Sequence, residues 1–195
     1  MVAKINADTS GGLKITSDTS GALDIQSAGT TKIAMDSSGN VSLAGNLAVT
    51  GLMPTGSIMQ VIHAETGTQV TVSSGDFADL GLSAAITPSA TSSKIYVAFN
   101  IGGIFVSATA AGFARIQLVR GSTVIAKSGY IVGALSSANE WSGASCAGFD
   151  LDSPSTTSAV TYKVQGTQVN GATINFQRDG AAYIISSMIL MEVAG

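Results

Sequence analysis

The first 50 residues carry a short apolar pattern that returns about every ten residues. Residues 8–17 read DTSGGLKITS, residues 18–27 read DTSGALDIQS, and the phrase returns as DSSGNVSL at residues 36–43. Each unit holds a pair of apolar residues spaced by two, which places both side chains on one face of a short β-strand. Glycine, serine, aspartate and asparagine lie between the pairs and favour turns, because they tolerate left-handed backbone.

A unit with two apolar residues cannot bury them by itself. Repeats bury such residues against neighbouring units or against other chains, and flexible linkers do not keep apolar pairs in register. We therefore expect an intertwined, homotrimeric β-stem over residues 1–53, in which three chains bury their apolar stripes along one axis. The residues expected at this axis are Leu13, Ile15, Leu23, Ile25, Ile33, Met35, Val41, Leu43, Leu47 and Val49.

The pattern changes after TGLMPTGS, residues 50–57, where glycine and proline mark a boundary. About nine longer strand candidates follow, from SIMQVIHA to YIISSMILMEV, with turn signals between them. Tight hairpins are expected at Gly121-Ser122 and Asn170-Gly171. The sequence thus predicts an all-β protein with a jelly-roll-like β-sandwich over residues 54–195.

The uncharged segment 95–114 has about the length of a membrane span. Its β-branched residues, its glycines and Asn100 favour two buried strands around NIGG instead, so we expect no membrane insertion. The N-terminal residues show no apolar core of a signal peptide.

Composition narrows the function classes. Charged residues make up 11% of the chain, against roughly 25% in average proteins, so we expect oligomer contacts to cover much of the surface. The net charge of −3, with scattered basic residues, argues against nucleic-acid binding. With Cys146 as the one cysteine and His63 as the one histidine, no internal disulfide and no transition-metal site are expected.

Motifs for catalysis are missing from the sequence. No serine lies in a G-x-S-x-G elbow, and no phosphate-binding loop is present. Paired carboxylates could cleave glycans, and the candidates are Asp76 with Asp79, Asp150 with Asp152, and Glu140. Turn and strand-end roles explain these residues better, and two carboxylates are too few for a calcium site. We expect no enzymatic activity and no cofactor.

One region has the composition of a recognition loop. The only tryptophan, Trp141, follows Asn139 and Glu140 in a Ser/Gly/Ala-rich stretch, residues 133–149. An aromatic ring can stack on a sugar while the amide and carboxylate bind its hydroxyls, so these three residues are the predicted receptor contact. The other interpretation places Trp141 in the core or at a trimer interface.

DSSGNVSLAGNLAVTG, residues 36–51, resembles the repeats of tail-fibre proteins of tailed bacteriophages. GLSAAITPSATSSKI and the closing SSMILMEV resemble a globular module that follows such stems, notably in phages of marine and cyanobacterial hosts. The resemblance implies a trimeric virion structural protein, made in the host cytoplasm, that contacts other tail or capsid proteins and a glycan or protein on the host surface.

Two other functions stay open. A capsid or neck decoration protein, such as a head fibre or cement protein, would bury its broad face against other chains. A glycan-degrading tailspike would place two carboxylates opposite each other in a groove, roughly 5–10 Å apart. A fibre tip would present exposed aromatic loops.

Overall fold

The computed structural model describes residues 22–44, 53–107, 112–127, 142–178 and 184–195. Every helix or strand in these ranges is a β-strand, and all strand pairs are antiparallel. The expectation of an all-β protein is therefore confirmed. The chain divides into two compact units, Met1–Leu52 and Met53–Gly195.

The first unit contains a three-stranded antiparallel meander. Its strands are β1 (Leu23–Ser27), β2 (Thr30–Met35) and β3 (Val41–Leu43). Ala28 and Gly29 both have positive φ, at 52° and 73°, and form the two-residue turn between β1 and β2. Of the expected stem-axis residues, Leu13, Ile15, Leu47 and Val49 lie outside the described residues.

The second unit is a β-sandwich of two antiparallel sheets. Its strands are β4 (Ile58–Thr66), β5 (Val70–Val72), β6 (Ala78–Ile86), β7 (Lys94–Ser107), β8 (Phe113–Arg120), β9 (Thr123–Lys127), β10 (Ser142–Asp152), β11 (Val160–Val169), β12 (Thr173–Phe176) and β13 (Ser186–Val193). The six-stranded sheet has the order β4-β13-β7-β12-β5, with β10 also paired to β7, and the four-stranded sheet has the order β6-β11-β8-β9.

The core lies between the two sheets and follows the period of two along each strand. In β6 every second residue is buried, and the residues between them are exposed. The largest fully buried side chains come from both sheets: Tyr162, Phe176, Leu80, Leu82, Ile95, Ile101, Ile104, Ile116, Leu118, Ile174, Met188 and Leu190.

The expected pair of strands around NIGG is wrong, because β7 continues through this segment as one strand of 14 residues. Gly102 and Gly103 form a β-bulge, since Ile101 pairs with Cys146 and Ile104 with Ala144. On the other side of β7, the partner changes near this bulge from β13 to β12. Glycine therefore bends the strand here without ending it.

Two further expectations about local structure have different outcomes. The hairpin at Gly121-Ser122 is confirmed, with β8 and β9 paired on either side. The hairpin at Asn170-Gly171 is wrong. Both residues have positive φ, at 64° and 73°, but β11 and β12 lie in different sheets, so the turn carries the chain from one sheet to the other.

Candidate interaction surfaces

The predicted receptor contact, Asn139, Glu140 and Trp141, lies outside the described residues, and it stays a prediction. Part of the predicted loop is a strand instead, because β10 begins at Ser142. Residues 142–149 therefore belong to a sheet and not to a loop.

The described stem residues share one face of the β1–β3 sheet, which we call the stem face. Cross-strand pairing joins Leu23 to Met35 and Met35 to Val41, and it joins Ile25 to Ile33 and Ile33 to Leu43. These six residues form two apolar rows across three strands. The exposed members are Ile25, Ile33, Met35, Val41 and Leu43, at 36–57% exposure.

The other face of the same sheet is small and polar. Asp24 pairs with Ala34, and Ala34 pairs with Ser42. The Thr31 hydroxyl donates a hydrogen bond to Asp24 Oδ2 at 3.1 Å. The sheet is therefore two-sided, and its apolar side is the one that a soluble chain needs to cover.

The turn between β2 and β3 explains the D-x-S-G part of the repeated phrase. Asp36 Oδ1 accepts hydrogen bonds from the backbone N–H groups of Ser38 and Asn40, each at 2.9 Å. The Asn40 amide donates to Asp36 Oδ2 at 2.9 Å, and Gly39 has a φ of +84°. The Asn40 side chain, followed by the backbone donors, lowers the pKa of Asp36. The turn therefore needs both a capping carboxylate and a glycine.

The second unit has an apolar surface of its own on the outer side of the six-stranded sheet, which we call the sandwich face. It spans the four strands β4, β13, β7 and β10. Two rows without Asp, Glu, Lys or Arg form its centre: Val61, Met191, Tyr96 and Leu151 in one, and His63, Ile189, Ala98 and Phe149 in the other.

The most exposed apolar side chains of the sandwich face lie at its two margins. Phe149 and Leu151 on β10 are 75% and 49% exposed, and Ile58 and Val61 on β4 are 58% and 56% exposed. The Phe149 ring stacks on Tyr96, with centroids 6.4 Å apart, so β10 presents an aromatic pair to solvent. Tyr96, Ala98, Ile189 and Met191 in the middle are half-buried.

Charged residues border this face at its ends. Lys94 lies in the row of Val193 and Ile58 at one end. Glu65 pairs with Ser187 at the other end. The face is therefore an apolar band between a cationic end and an anionic end.

The outer side of the four-stranded sheet is polar. Asp79, Gln165, Gln117 and Lys127 form one row across its strands. The Gln165 amide donates to Asp79 Oδ1 at 2.6 Å, and Lys163 Nζ lies 3.0 Å from Asp79 Oδ2. Gln165, followed by Lys163, lowers the pKa of Asp79 although partial burial opposes this. This side already satisfies its own polar groups.

Three of the candidate catalytic carboxylates, Asp79, Asp150 and Asp152, have structural partners. Asp152 Oδ2 accepts hydrogen bonds from Arg120 Nη1 at 2.5 Å and from the Tyr162 hydroxyl at 2.7 Å. Burial, followed by the neighbouring Asp152 carboxylate, raises the pKa of Tyr162 above its ordinary value. Asp150 Oδ1 accepts from the backbone N–H of Leu151. Asp152 thus links β10 to the opposite sheet.

Sequence reasoning did not identify Glu192, which is fully buried on β13. Ser89 donates to its carboxylate through backbone N–H and hydroxyl at 2.6 and 2.5 Å, Ser93 at 2.7 Å, and Gln60 at 2.6 Å. Burial alone would raise the pKa of Glu192, but these hydrogen bonds outweigh it and lower the pKa to about 2. Glu192 is a structural anion that closes one end of the sandwich.

Within the described ranges, no three His, Cys, Asp or Glu side chains come together as a metal site. Cys146 is a free, half-buried thiol whose pKa is raised by burial. No helix in this part of the chain is long and apolar enough to cross a membrane.

The sandwich face was also missed from the sequence, although β13 carried a signal for it. Its consecutive residues Met188, Ile189, Leu190 and Met191 are all apolar, so both faces of the strand carry apolar side chains. A strand of this kind is covered on both sides. The described residues of this chain cover the inner side and leave the outer side partly open.

No protein-family model matches the chain, and no curated protein matches it. Solved structures give weak matches. Dimeric latent PorU from Porphyromonas gingivalis matches with a TM-score of 0.37 and 10% identity, over 78% of this chain and 14% of that one. The infectious bursal disease virus Gx strain gives a TM-score of 0.31 and 10% identity, over 80% and 43%.

The VP2 subviral particle of infectious bursal disease virus gives a TM-score of 0.31 and 12% identity, over 89% of this chain and 47% of that one. This chain thus spans less than half the length of each of these three proteins. Matches at these TM-scores do not define a shared fold.

Proposed function

We propose that this protein is a non-catalytic structural component of a phage particle, a short tail fibre or fibre tip that attaches the particle to the host surface. In this proposal it is a homotrimer. The observation that carries the proposal is the stem face, where six repeat-derived apolar residues form two rows with little cover. An open apolar side of this kind marks a contact with a partner.

Identical chains are the simplest partner, because each chain brings the same narrow stripe. Three stem faces around one axis bury one another and leave the polar side of each sheet, with Asp24 and Ser42, toward solvent. The resemblance of residues 36–51 to phage fibre repeats supports the same arrangement.

Attachment by such a fibre depends on copy number. Three tethered tips on one stem act at a high effective concentration, so weak individual contacts add up to firm binding. Attachment of this kind requires no catalysis by the tip. Two of the candidate carboxylates, Asp79 and Asp152, have structural partners.

The trimer is tested by the molar mass of the full chain in light scattering, with Ile33→Asp as the disrupting variant. Ala34→Asp, one residue along β2 but on the polar side of the sheet, is the matched control. We expect the molar mass of three chains for the unmodified protein and for Ala34→Asp. The Ile33→Asp complex should dissociate on dilution. A monomeric unmodified protein contradicts the proposal.

The position of this protein on the phage particle distinguishes a tail fibre from a decoration protein. The broad apolar sandwich face favours a second candidate, a capsid or neck decoration protein, because such a protein buries a broad face against the particle. Electron microscopy of virions labelled with an antibody to this protein decides between them. Label at the tail tip supports the fibre, whereas label over the capsid supports the decoration protein.

A further inference from the structure

We infer that the sandwich face is a second subunit interface, in which the β10 margin of one chain packs against the β4 margin of the next copy around a threefold axis. This inference rests on the proposed trimer, and it assigns a self-association role to the second unit as well.

The size of the face fits a subunit contact. Its four most exposed apolar side chains, at 49–75% exposure, present roughly 400 Å² of apolar surface, at the scale of the largest patch on an ordinary monomer. The half-buried middle residues and the polar ends add to this. A standard interface buries about 1,600 Å² over both partners. Each proposed contact takes one margin from each copy, so the two margins supply its apolar centre, about a quarter of that area.

The distribution of exposure indicates the geometry. The middle of the face is half-buried, whereas Phe149 and Leu151 on one margin and Ile58 and Val61 on the other are the most exposed. Two different margins that pack on each other form a heterologous contact, which closes into a ring when the rotation fits. Three copies then bury all six margins.

Charge does not oppose packing of identical copies. The two central rows carry no Asp, Glu, Lys or Arg, and the bordering residues Lys94 and Glu65 lie at opposite ends of the face. Copies related by a threefold axis parallel to the strands keep these ends in separate layers. No like charges are therefore forced into the apolar centre of the contact.

The occupant is a copy of this chain because one margin of the face, on β4, lies close in sequence to the first unit. β4 begins at Ile58, six residues after the first unit ends at Leu52. A trimeric stem holds three sandwich domains at high effective concentration, so a modest apolar contact between them forms readily. A different particle protein would have to compete with this tethered partner.

A disulfide between copies tests the contact directly. In the full chain with Cys146→Ala, we introduce Val61→Cys and Leu151→Cys, which lie at opposite ends of one four-strand row. Three strand spacings of about 4.8 Å place them about 14 Å apart within a chain. This exceeds disulfide reach, so mild oxidation can join them only between copies.

The expected product is a covalent trimer on a non-reducing gel, at least fivefold more abundant than with Val61→Cys or Leu151→Cys alone. The matched control pair, Ser83→Cys with Val124→Cys, spans four strands on the polar outer side of the other sheet. Circular dichroism verifies that each variant is folded.

Each result decides a different point. Equal cross-linking of the two pairs, or none with Val61→Cys and Leu151→Cys in a protein whose mass is that of a trimer, overturns this inference and leaves the stem trimer standing. An unmodified chain that is monomeric in light scattering overturns the proposed function itself.

Discussion

The two outer sides of the sandwich differ although the same chain builds both. The four-stranded sheet presents a polar row in which Gln165 donates a hydrogen bond to Asp79 and accepts one from Gln117. The six-stranded sheet presents Phe149 and Leu151 to solvent while the carboxylate of Glu192 is buried on its inner side. Burial of apolar side chains is the main driving force for folding and association, so only the second side has stabilising energy left for a partner.

The largest expected effect comes from placing a charge on the sandwich face. In the proposed trimer, Phe149→Asp should weaken the assembly by about 4–5 kcal/mol per copy, because it removes an aromatic anchor and buries a carboxylate at the contact. Val124→Asp on the other sheet, at a position 39% exposed, should change stability by about 0.5 kcal/mol or less. Thermal unfolding over a range of protein concentrations measures both, and equal effects would remove the distinction between the two sides.

The inner side of β13 gives the next largest effect. Glu192→Ala should cost about 3–4 kcal/mol in the free energy of unfolding, because Gln60, Ser89 and Ser93 lose their acceptor in a buried site. Urea denaturation at neutral pH measures this cost. A loss below about 1 kcal/mol would show that water replaces the carboxylate freely.

The same carboxylate predicts an acid dependence. The pKa of Glu192 is about 2 in the folded chain, against 4.5 for the ordinary group. A lowered pKa stabilises the fold fully above 4.5, and this stabilisation is lost as the pH falls toward about 2. Urea midpoints measured between pH 6 and pH 2 should drop more for the unmodified chain than for Glu192→Gln, and parallel curves would contradict the assignment.

Alanine substitution at two glycines with the same backbone conformation tests how the interior of one sheet differs from the edge of the other. Gly103 in β7 and Gly121 between β8 and β9 have φ of +58° and +57°. A Cβ at Gly103 would lie 2.8 Å from the Arg178 carbonyl oxygen, whereas none of the chain lies within 4 Å at Gly121. Gly103→Ala should cost about 3 kcal/mol and Gly121→Ala about 1 kcal/mol in urea denaturation.

The smallest effect is expected on the polar side. Lys163→Ala removes the ion pair with Asp79, whose side chain is 56% exposed. Solvent screens such a pair, so the expected loss is about 0.5 kcal/mol or less and should shrink further in 1 M salt. Thermal unfolding at two salt concentrations tests this. A loss above 1 kcal/mol would show that the ion pair on the polar side is a substantial source of stability.

The sequence predicted best where the signal is local. The alternation of Leu23 with Ile25 and of Ile33 with Met35 correctly predicted strands with one apolar face, because period two is a property of the strand itself. The structure adds that these pairs lie side by side in one meander within the chain. The pairing partner of a strand is not contained in its own pattern.

Predictions failed where distant residues decide the structure. β10 was partly taken for a loop because of its small residues, but a Cβ at Gly148 would lie 2.5 Å from the Phe99 ring, so this aromatic side chain requires a glycine opposite it. Asn170-Gly171 has the backbone of a hairpin turn, yet tertiary packing sends β12 to the other sheet. The sandwich face could not be predicted without the strand pairing of the whole sheet. Val61 and Leu151 lie in one row only because β13 and β7 pair between their strands.

Pairing of β4 with β13 also sets an order for biosynthesis. The Gln60 amide binds the Glu192 carboxylate across 132 residues of sequence, so β4 leaves the ribosome roughly ten seconds before its partner at typical elongation rates. The β1–β3 meander closes within about 20 residues and is complete while the sandwich is still being translated. In the proposed trimer, neighbouring nascent chains would therefore meet through their stem faces first, and the sandwich face would become available only when β13 has been added.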